Sequence, residues 1–182
     1  MEIELSGFHQ VLAPRTTALI TTLDKEGRAN AAPFSLVSPV SFDPPLVMFA
    51  AKSKRDTLAN ARETGEFVLN MVPEELLDKL WICSKSFPAG VSEIAEAGLT
   101  ERKSRVVKAP SIEECVAWVE CRYEWEKEAG DHIMVVGSVV HAECKDEFVK
   151  GDQYDVAGAK PLLHIRGRRF VPADSEVLVK EE

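Results

Sequence analysis

The sequence has no apolar run approaching the roughly 18 residues that a membrane-spanning helix needs; stretches such as "PPLVMFAA" (44–51) stop well short. Its opening, "MEIELSGFHQVLAPR", starts acidic and lacks an apolar signal core, so nothing in it directs export and the expected location is the cytoplasm. Positive charge is in deficit, with 22 Lys and Arg against 30 Asp and Glu for a net charge of −8. That balance argues against a nucleic-acid binder. The four cysteines (Cys83, Cys115, Cys121, Cys144) form no C-x-x-C pair, and His9, His132, His141 and His164 are scattered. Zinc-type spacing is therefore missing and free, mostly buried thiols are expected, with no metal. Neither G-x-G-x-x-G nor G-x-x-x-x-G-K-[ST] occurs, which excludes Rossmann and P-loop explanations. No Ser-His-Asp or paired-carboxylate pattern supports hydrolysis, so no acid–base pair is assigned. With no repeat, low-complexity stretch or linker, residues 1–182 are expected to form a single domain.

What is present reads mainly as strands. "TTALITTL" (16–23) stops at "DKEG", a turn ending in Gly27, and leads by a hairpin into "GRANAAPFSLVSPVSFDPPLV" (27–47). "PPLVMFAA" and "FVLNMV" (67–72) are strand candidates. Between them "KSKRDTLANARETGE" reads as a helix, with Ser53 and Asp56 as a capping-box variant and Gly65 as its C-terminal cap. "PEELLDKLWI" opens with Pro73 and two acids, the composition of a helix first turn. From 83 to 110 a loop with a short helix near "SEIAEAG" is expected, and "SIEE" (111–114) matches a capping box. In "CVAWVECRYEWE", Cys115, Ala117, Val119, Cys121 and Tyr123 alternate along one strand face, and "HIMVVGSVVHAEC" returns as its hairpin partner. "PLLHIRGRRFVP" gives two short strands around Gly167, and the tail "ADSEVLVKEE" frays or packs on a partner. Six or seven hairpin-connected strands with two or three inserted helices predict an antiparallel sheet curling towards a barrel, which removes exposed edges.

The stretch at 27–47 raises a functional question. Asn30, Ala31, Ala32 and Pro33 leave backbone accessible, and Pro33 cannot donate to a ladder, so this strand is an edge or is interrupted. A plain surface edge followed by a Pro-rich loop explains the composition. A planar heteroaromatic ring held by edge amides explains it too. The next segment, "AAKSKRDT", runs from a strand into the start of a helix, where unpaired amides suit a phosphate. Lys52, Lys54 and Arg55 add positive charge there, and Ser53 and Thr57 offer hydroxyls. Such a cluster is either solvated surface or, being set against the helix dipole, compensated by an anion. A ligand with a ring at one end and a phosphate at the other would bridge the two segments.

The order "GRANAAPFSLVSPVSFDPPLV", "KRDTLANARETGEFVLNMV", "EAGLT", "GDHIMVVGSVV" resembles the flavin-reductase-like, FMN-binding split-barrel family that includes flavoredoxin, from Pro14 to Phe170. The resemblance implies a mainly β fold with inserted helices, an antiparallel split β-barrel with its core at about 14–172, and a homodimer with FMN held non-covalently near the subunit interface. It places Asn30 at the flavin edge and the backbone of Ala31, Ala32, Pro33, Phe34 and Ser35 along the isoalloxazine. Leu36 stands where flavoredoxin has a ring-flanking tryptophan, which keeps apolar contact and removes aromatic stacking. Lys52 and Thr57 match phosphate-side positions, with Ser53, Lys54 and Arg55 beside them. Lys85, His132 (in "GDH") and Phe170 (in "RRF") match further flavin neighbours. Taken without the resemblance, His132 is a turn residue beside Asp131, Phe170 core and Lys85 surface.

In such a protein the flavin carries the chemistry and the chain binds, orients and tunes it. Lys85 and His132 are the expected groups to stabilise charge on the reduced flavin. The leading expectation is an NAD(P)H-dependent flavin reductase or related FMN-dependent oxidoreductase. A second is an electron-transfer flavoprotein reduced by a redox protein instead of a nicotinamide nucleotide. A third is a non-enzymatic barrel that binds a partner or RNA, disfavoured by the acidic balance and an aromatic content of 7%.

Overall fold

Strands form where alternating residues find cover on both faces. In the computed structural model, which describes residues 2–88 and 90–179, a 3-10 helix (Leu5–Gln10) leads into β1 (Arg15–Thr16), β2 (Ala18–Leu23), β3 (Ala29–Phe34), β4 (Val37–Phe42) and β5 (Pro45–Ala51). Then come α1 (Asp56–Thr64), β6 (Glu66–Met71), α2 (Leu77–Cys83), α3 (Glu93–Glu96), β7 (Glu101–Arg102) and β8 (Ser111–Ile112). The chain continues through β9 (Ala117–Ala129), β10 (His132–Cys144), β11 (Val149–Lys150), β12 (Gln153–Tyr154), α4 (Val156–Ala159), β13 (Leu162–Arg166) and β14 (Arg169–Pro172).

Seven strands make one antiparallel sheet in the order β3-β2-β6-β9-β10-β5-β4. β3 and β4 are consecutive in the chain, yet they occupy the two outer edges. Only Ser35 and Leu36 connect them, so the sheet must curl until its edges approach each other. The Ala50 amide donates to the Leu36 carbonyl at 2.9 Å at that approach, while β3 and β4 stay unpaired. The architecture is a split barrel. Pro33 on one lip and Pro39 on the other each lack an amide hydrogen, which disfavours a closing ladder.

Period-two burial places the core on both faces of the sheet. Ala18, Ile20, Phe67 and Leu69 pack on one face with Phe49, Cys121 and Val135, under Leu58 and Ala61 of α1. Leu19 and Val68 point the other way, into a second cluster with Leu80 of α2, Ile94 of α3, Trp118 and Leu162. Phe34, Phe49 and Phe67 meet edge to face at 5.3 and 5.1 Å. Gly137 of β10 is required beside them, because a Cβ there would lie 2.5 Å from the Phe67 ring and 2.8 Å from the Arg122 carbonyl.

Buried polar groups pin the long 83–116 segment to the sheet. Asn70 is fully buried; its amide donates to the Leu19 carbonyl at 2.9 Å and its oxygen accepts from the Ile112 amide at 2.7 Å. Glu120, also fully buried, accepts from the amides of Arg105, Val106 and Val107 at 2.7, 2.7 and 3.0 Å. Each such group needs its partners, since an unpaired one in the interior costs about 1–3 kcal/mol.

Several local expectations need correction. Ser53 does not cap α1: its N-cap is Arg55, and no side chain caps that end. Gly65 does close the helix, with φ 72°. "SIEE" forms no helix beyond a single turn, closed by the Cys115 amide on the Ile112 carbonyl at 3.1 Å; Ser111–Ile112 pairs with Glu101–Arg102 as a strand, and Glu114 instead binds the amide and hydroxyl of Thr100. Cys115 does not share a face with Val119 and Cys121, since it precedes β9 and packs in the other cluster beside Trp118. "PEELLDKLWI" starts as a 3-10 turn (Glu74–Leu76) before α2. The last two strands leave the main sheet and join β1 in a three-stranded sheet of order β1-β13-β14. In the tail, Val177, Leu178 and Val179 are exposed, and residues 180–182 lie outside the described residues.

Candidate functional site

The lip of the split is hollow. A cleft of about 650 Å³ opens over the β3–β4 connection, and Ala32, Pro33, Phe34, Ser35 and Leu36 form one wall. Ala50, Ala51 and Lys52 at the end of β5 form another, because the Leu36–Ala50 hydrogen bond brings that strand alongside. The small side chains leave a flat approach to the backbone. Arg55, at the start of α1, and His132, at the start of β10, close one side; the 3-10 helix contributes Phe8 and His9.

The charge inside the cleft opposes that of the whole chain. Arg15, Lys52 and Arg55 face it, with Asp131 as the sole lining carboxylate among the described residues. Asp131 is committed to His132 through a 2.8 Å contact between Oδ1 and Nδ1. That hydrogen bond, then the imidazole charge, holds the Asp131 carboxyl below its ordinary value. An acidic protein with a cationic cleft is arranged to hold an anion.

The structure thus gathers Ala32, Pro33, Phe34, Ser35, Leu36, Lys52, Arg55 and His132 from the residues proposed on sequence. It places the others elsewhere. Asn30 and Thr57 form one unit: the buried Thr57 hydroxyl donates to Asn30 Oδ1 at 3.0 Å, tying β3 to α1. Asn30 lines a separate hollow of about 420 Å³, together with Asp56 and Asn60. Ala31 is fully buried, with its amide 3.5 Å from Glu93 Oε2 on α3. Ser53 and Lys54 stand exposed in the turn before α1, and Lys85 is exposed after α2; none of the three lines the cleft. Phe170 packs against His164 with ring centroids 4.8 Å apart and the rings tilted by 40°, and it lines a neighbouring 150 Å³ hollow that shares Pro33, Phe34 and Ser35 with the cleft.

Arg15, His164 and Cys83 were given no site role on sequence. Arg15 lines the cleft and reaches His164 across 149 residues, with Nη2 3.2 Å from Nδ1. Ser35 Oγ lies 3.0 Å from the same nitrogen. The pairing of β1 with β13 sets Arg15 opposite His164, and the β3–β4 connection brings Ser35 to them, so no local motif carries the cluster. Cys83 also lines the cleft, but burial and then Glu93 push its thiol up to about 12. It stays protonated at neutral pH and is no nucleophile. Away from the cleft, Glu120, His141 and Glu143 cluster. Glu120 is taken by three amides and Glu143 by Arg102 at 2.7 Å and Arg105 at 3.4 Å, so guanidinium groups fill a cation's role there.

Comparison with known proteins bears on the family and the fold. The sequence profile of the flavin reductase like domain matches residues 11–172. An uncharacterized protein of Methanothermobacter thermautotrophicus is 38% identical over 164 residues, covering 87% of this chain and 77% of that protein. A flavin reductase of Pseudomonas putida is 29% identical over 147 residues, covering 80% and 83%. Among solved structures, nitrilotriacetate monooxygenase component B from Bacillus cereus is 26% identical, with a TM-score of 0.87 over 98% of this chain and 95% of that one. Matched over most of its length, the chain belongs to the flavin reductase like domain family.

Proposed function

We propose that the protein binds FMN non-covalently in the 650 Å³ cleft and works as a flavin reductase, taking a hydride from NAD(P)H and passing the electrons to an acceptor. The observation that carries this reading is the cationic cleft beside a small-residue strand on a chain of net charge −8. The residues fit the group: Ala32, Pro33, Ala50 and Ala51 admit a flat ring, while Lys52 and Arg55 suit its phosphate. His132, kept in place by Asp131, adds a donor on the same side. The cofactor, once bound, supplies the hydride chemistry. The flavin reductase name of the Pseudomonas putida relative supports the same assignment.

A homodimer belongs to the proposal. β4 is an edge strand whose Val40 and Phe42 are 50% and 90% exposed, with Leu36 of the cleft wall 40% exposed beside them. An apolar open edge invites pairing, and a second copy of the chain would cover it.

The test is FMN titration followed by flavin fluorescence, then anaerobic addition of NADH or NADPH. Binding, with loss of the flavin's visible band on nucleotide addition, is the expected result. Binding without bleaching by either nucleotide replaces the reductase with a carrier reduced by a redox protein. A protein that retains no FMN overturns the reading. Sedimentation of wild type against Phe42→Glu tests the dimer; equal masses would reject this edge as its interface.

A further inference from the structure

Two arginines are partly buried, and they are treated differently. Arg102 pairs with Glu143 at 2.7 Å and Glu113 at 3.6 Å. Arg15 lines the cleft and pairs with no carboxylate among the described residues, and its Nε is buried without an acceptor. It is nevertheless held firmly. Nη1 donates to the His9 carbonyl at 2.7 Å, and Nη2 donates to the Ile165 carbonyl at 3.1 Å.

The state of His164 follows from its neighbours. The Gly167 carbonyl, 3.2 Å from Nε2, can only accept, so Nε2 carries the proton and Nδ1 receives Arg15 and Ser35. Burial first, then the charges of Arg15 and His9, push His164 below its ordinary 6.5 and keep it neutral. The cluster therefore presents one positive charge with no counterion to a semi-enclosed cleft, where screening by water is weak.

We propose that Arg15 is the fixed charge that makes the cleft hold reduced FMN more tightly than oxidised FMN, with His164 as the residue that positions it. This rests on the FMN reading above. Adding two electrons and one proton to the neutral oxidised ring gives a ring of charge −1, so a cation sharing the cleft stabilises the product of that step and not its reactant. Lys52 and Arg55 are exposed and suit the phosphate, which keeps its charge throughout. They grip both forms alike, whereas Arg15 discriminates.

The experiment loads FMN onto wild type, Arg15→Gln, Arg15→Lys and His164→Gln, and reduces each stepwise with dithionite, which supplies the electrons and is oxidised to sulfite. Oxidised FMN affinity is measured alongside by fluorescence. For Arg15→Gln we expect oxidised FMN to bind within about threefold of wild type, while reduced FMN loses about tenfold more, a midpoint about 30 mV lower for a two-electron couple. Arg15→Lys, which keeps the charge, should retain most of the wild-type midpoint, and His164→Gln should fall between. An unchanged midpoint in folded, flavin-loaded Arg15→Gln overturns the proposal. Should that variant fail to fold, Arg15→Met, which keeps an apolar stem of similar reach and removes the charge, takes its place; the same tenfold loss is expected, and an unchanged midpoint is equally fatal. Wild type that binds no FMN refutes the cofactor reading itself, whereas normal binding with an unmoved midpoint refutes only the role of Arg15.

Discussion

The two partly buried arginines define two regions built from similar parts for different ends. Around Arg102, charges are matched: Glu143 and Glu113 pair with it, Arg105 supports Glu143, and the guanidinium lies 4.2 Å over the Trp118 ring. The neighbouring Glu120 is saturated by three amides. Around Arg15 the partners are carbonyls and a neutral imidazole, and the charge is left over. A matched cluster gains nothing further from a ligand. An unmatched one facing a cleft does, which is why the hollow at the barrel lip, and not the Glu120–His141–Glu143 cluster, reads as the site.

The largest effect that would break this contrast is expected at Glu120. Glu120→Ala strips the acceptor from three loop amides and should cost about 3–5 kcal/mol of stability, measured by urea denaturation. A loss below about 1 kcal/mol would mean that the matched region is not what anchors the 104–107 loop. Next comes the phosphate end of the cleft. Replacing Lys52 and Arg55 together by alanine removes two charge-assisted contacts, so FMN affinity should fall by about tenfold to a hundredfold. Oxidised and reduced FMN should weaken in parallel. A midpoint that moved with these two residues would erase the division between gripping charges and a tuning charge.

A smaller effect is expected from Arg102→Gln. The pair is largely shielded but reaches solvent, so about 1 kcal/mol is at stake. The pH dependence is more telling. Hydrogen bonding to Arg102 comes first among the causes that hold the Glu143 carboxyl below its ordinary 4.5. A carboxyl depressed in the folded state contributes stability above its unfolded pKa and loses it as pH falls through the folded value. Acid unfolding of wild type should therefore steepen below pH 4.5, and Arg102→Gln should flatten that limb. The Arg15 region should show no such acid limb, because no carboxylate pairs with Arg15 among the described residues.

How much of this was legible follows from the range of the interactions. Hairpins are local, so β9 and β10, the turn at Gly27 and the Gly65 cap could be read from alternation and turn residues. Ala32 and Pro33 could be read too, because small residues and a proline announce exposed backbone within a few positions, whereas Phe34, Ser35 and Leu36 came only with the family resemblance. Asn30 and Thr57 were harder. Both are polar and near the cleft in sequence, yet the α1–β3 packing turns them towards each other. Ser111–Ile112 carries a helix-start pattern, but the partner strand at Glu101–Arg102 and the Asn70 bond to the Ile112 amide override it. Arg15 was invisible. Nothing near it in the chain differs from an ordinary residue before a strand, and its meaning comes from His164 and Ile165, brought to it only when β13 pairs with β1.

The smallest expected effect falls on Lys85, one of the two residues first assigned to tune the flavin. It is exposed, lies beyond the end of α2 and does not line the cleft. A solvated lysine is screened by water and salt, so its charge falls away over about 10 Å. Lys85→Ala should leave stability within about 0.5 kcal/mol of wild type, and the FMN midpoint should not move. The comparison with Arg15→Gln is then direct, since each variant removes one positive charge from the chain. If removing Lys85 shifted the potential as much as removing Arg15, net charge would be setting it and the geometry of the β1–β13 cluster would be irrelevant. If only Arg15 matters, the controlling quantity is where a charge is held and how little water surrounds it.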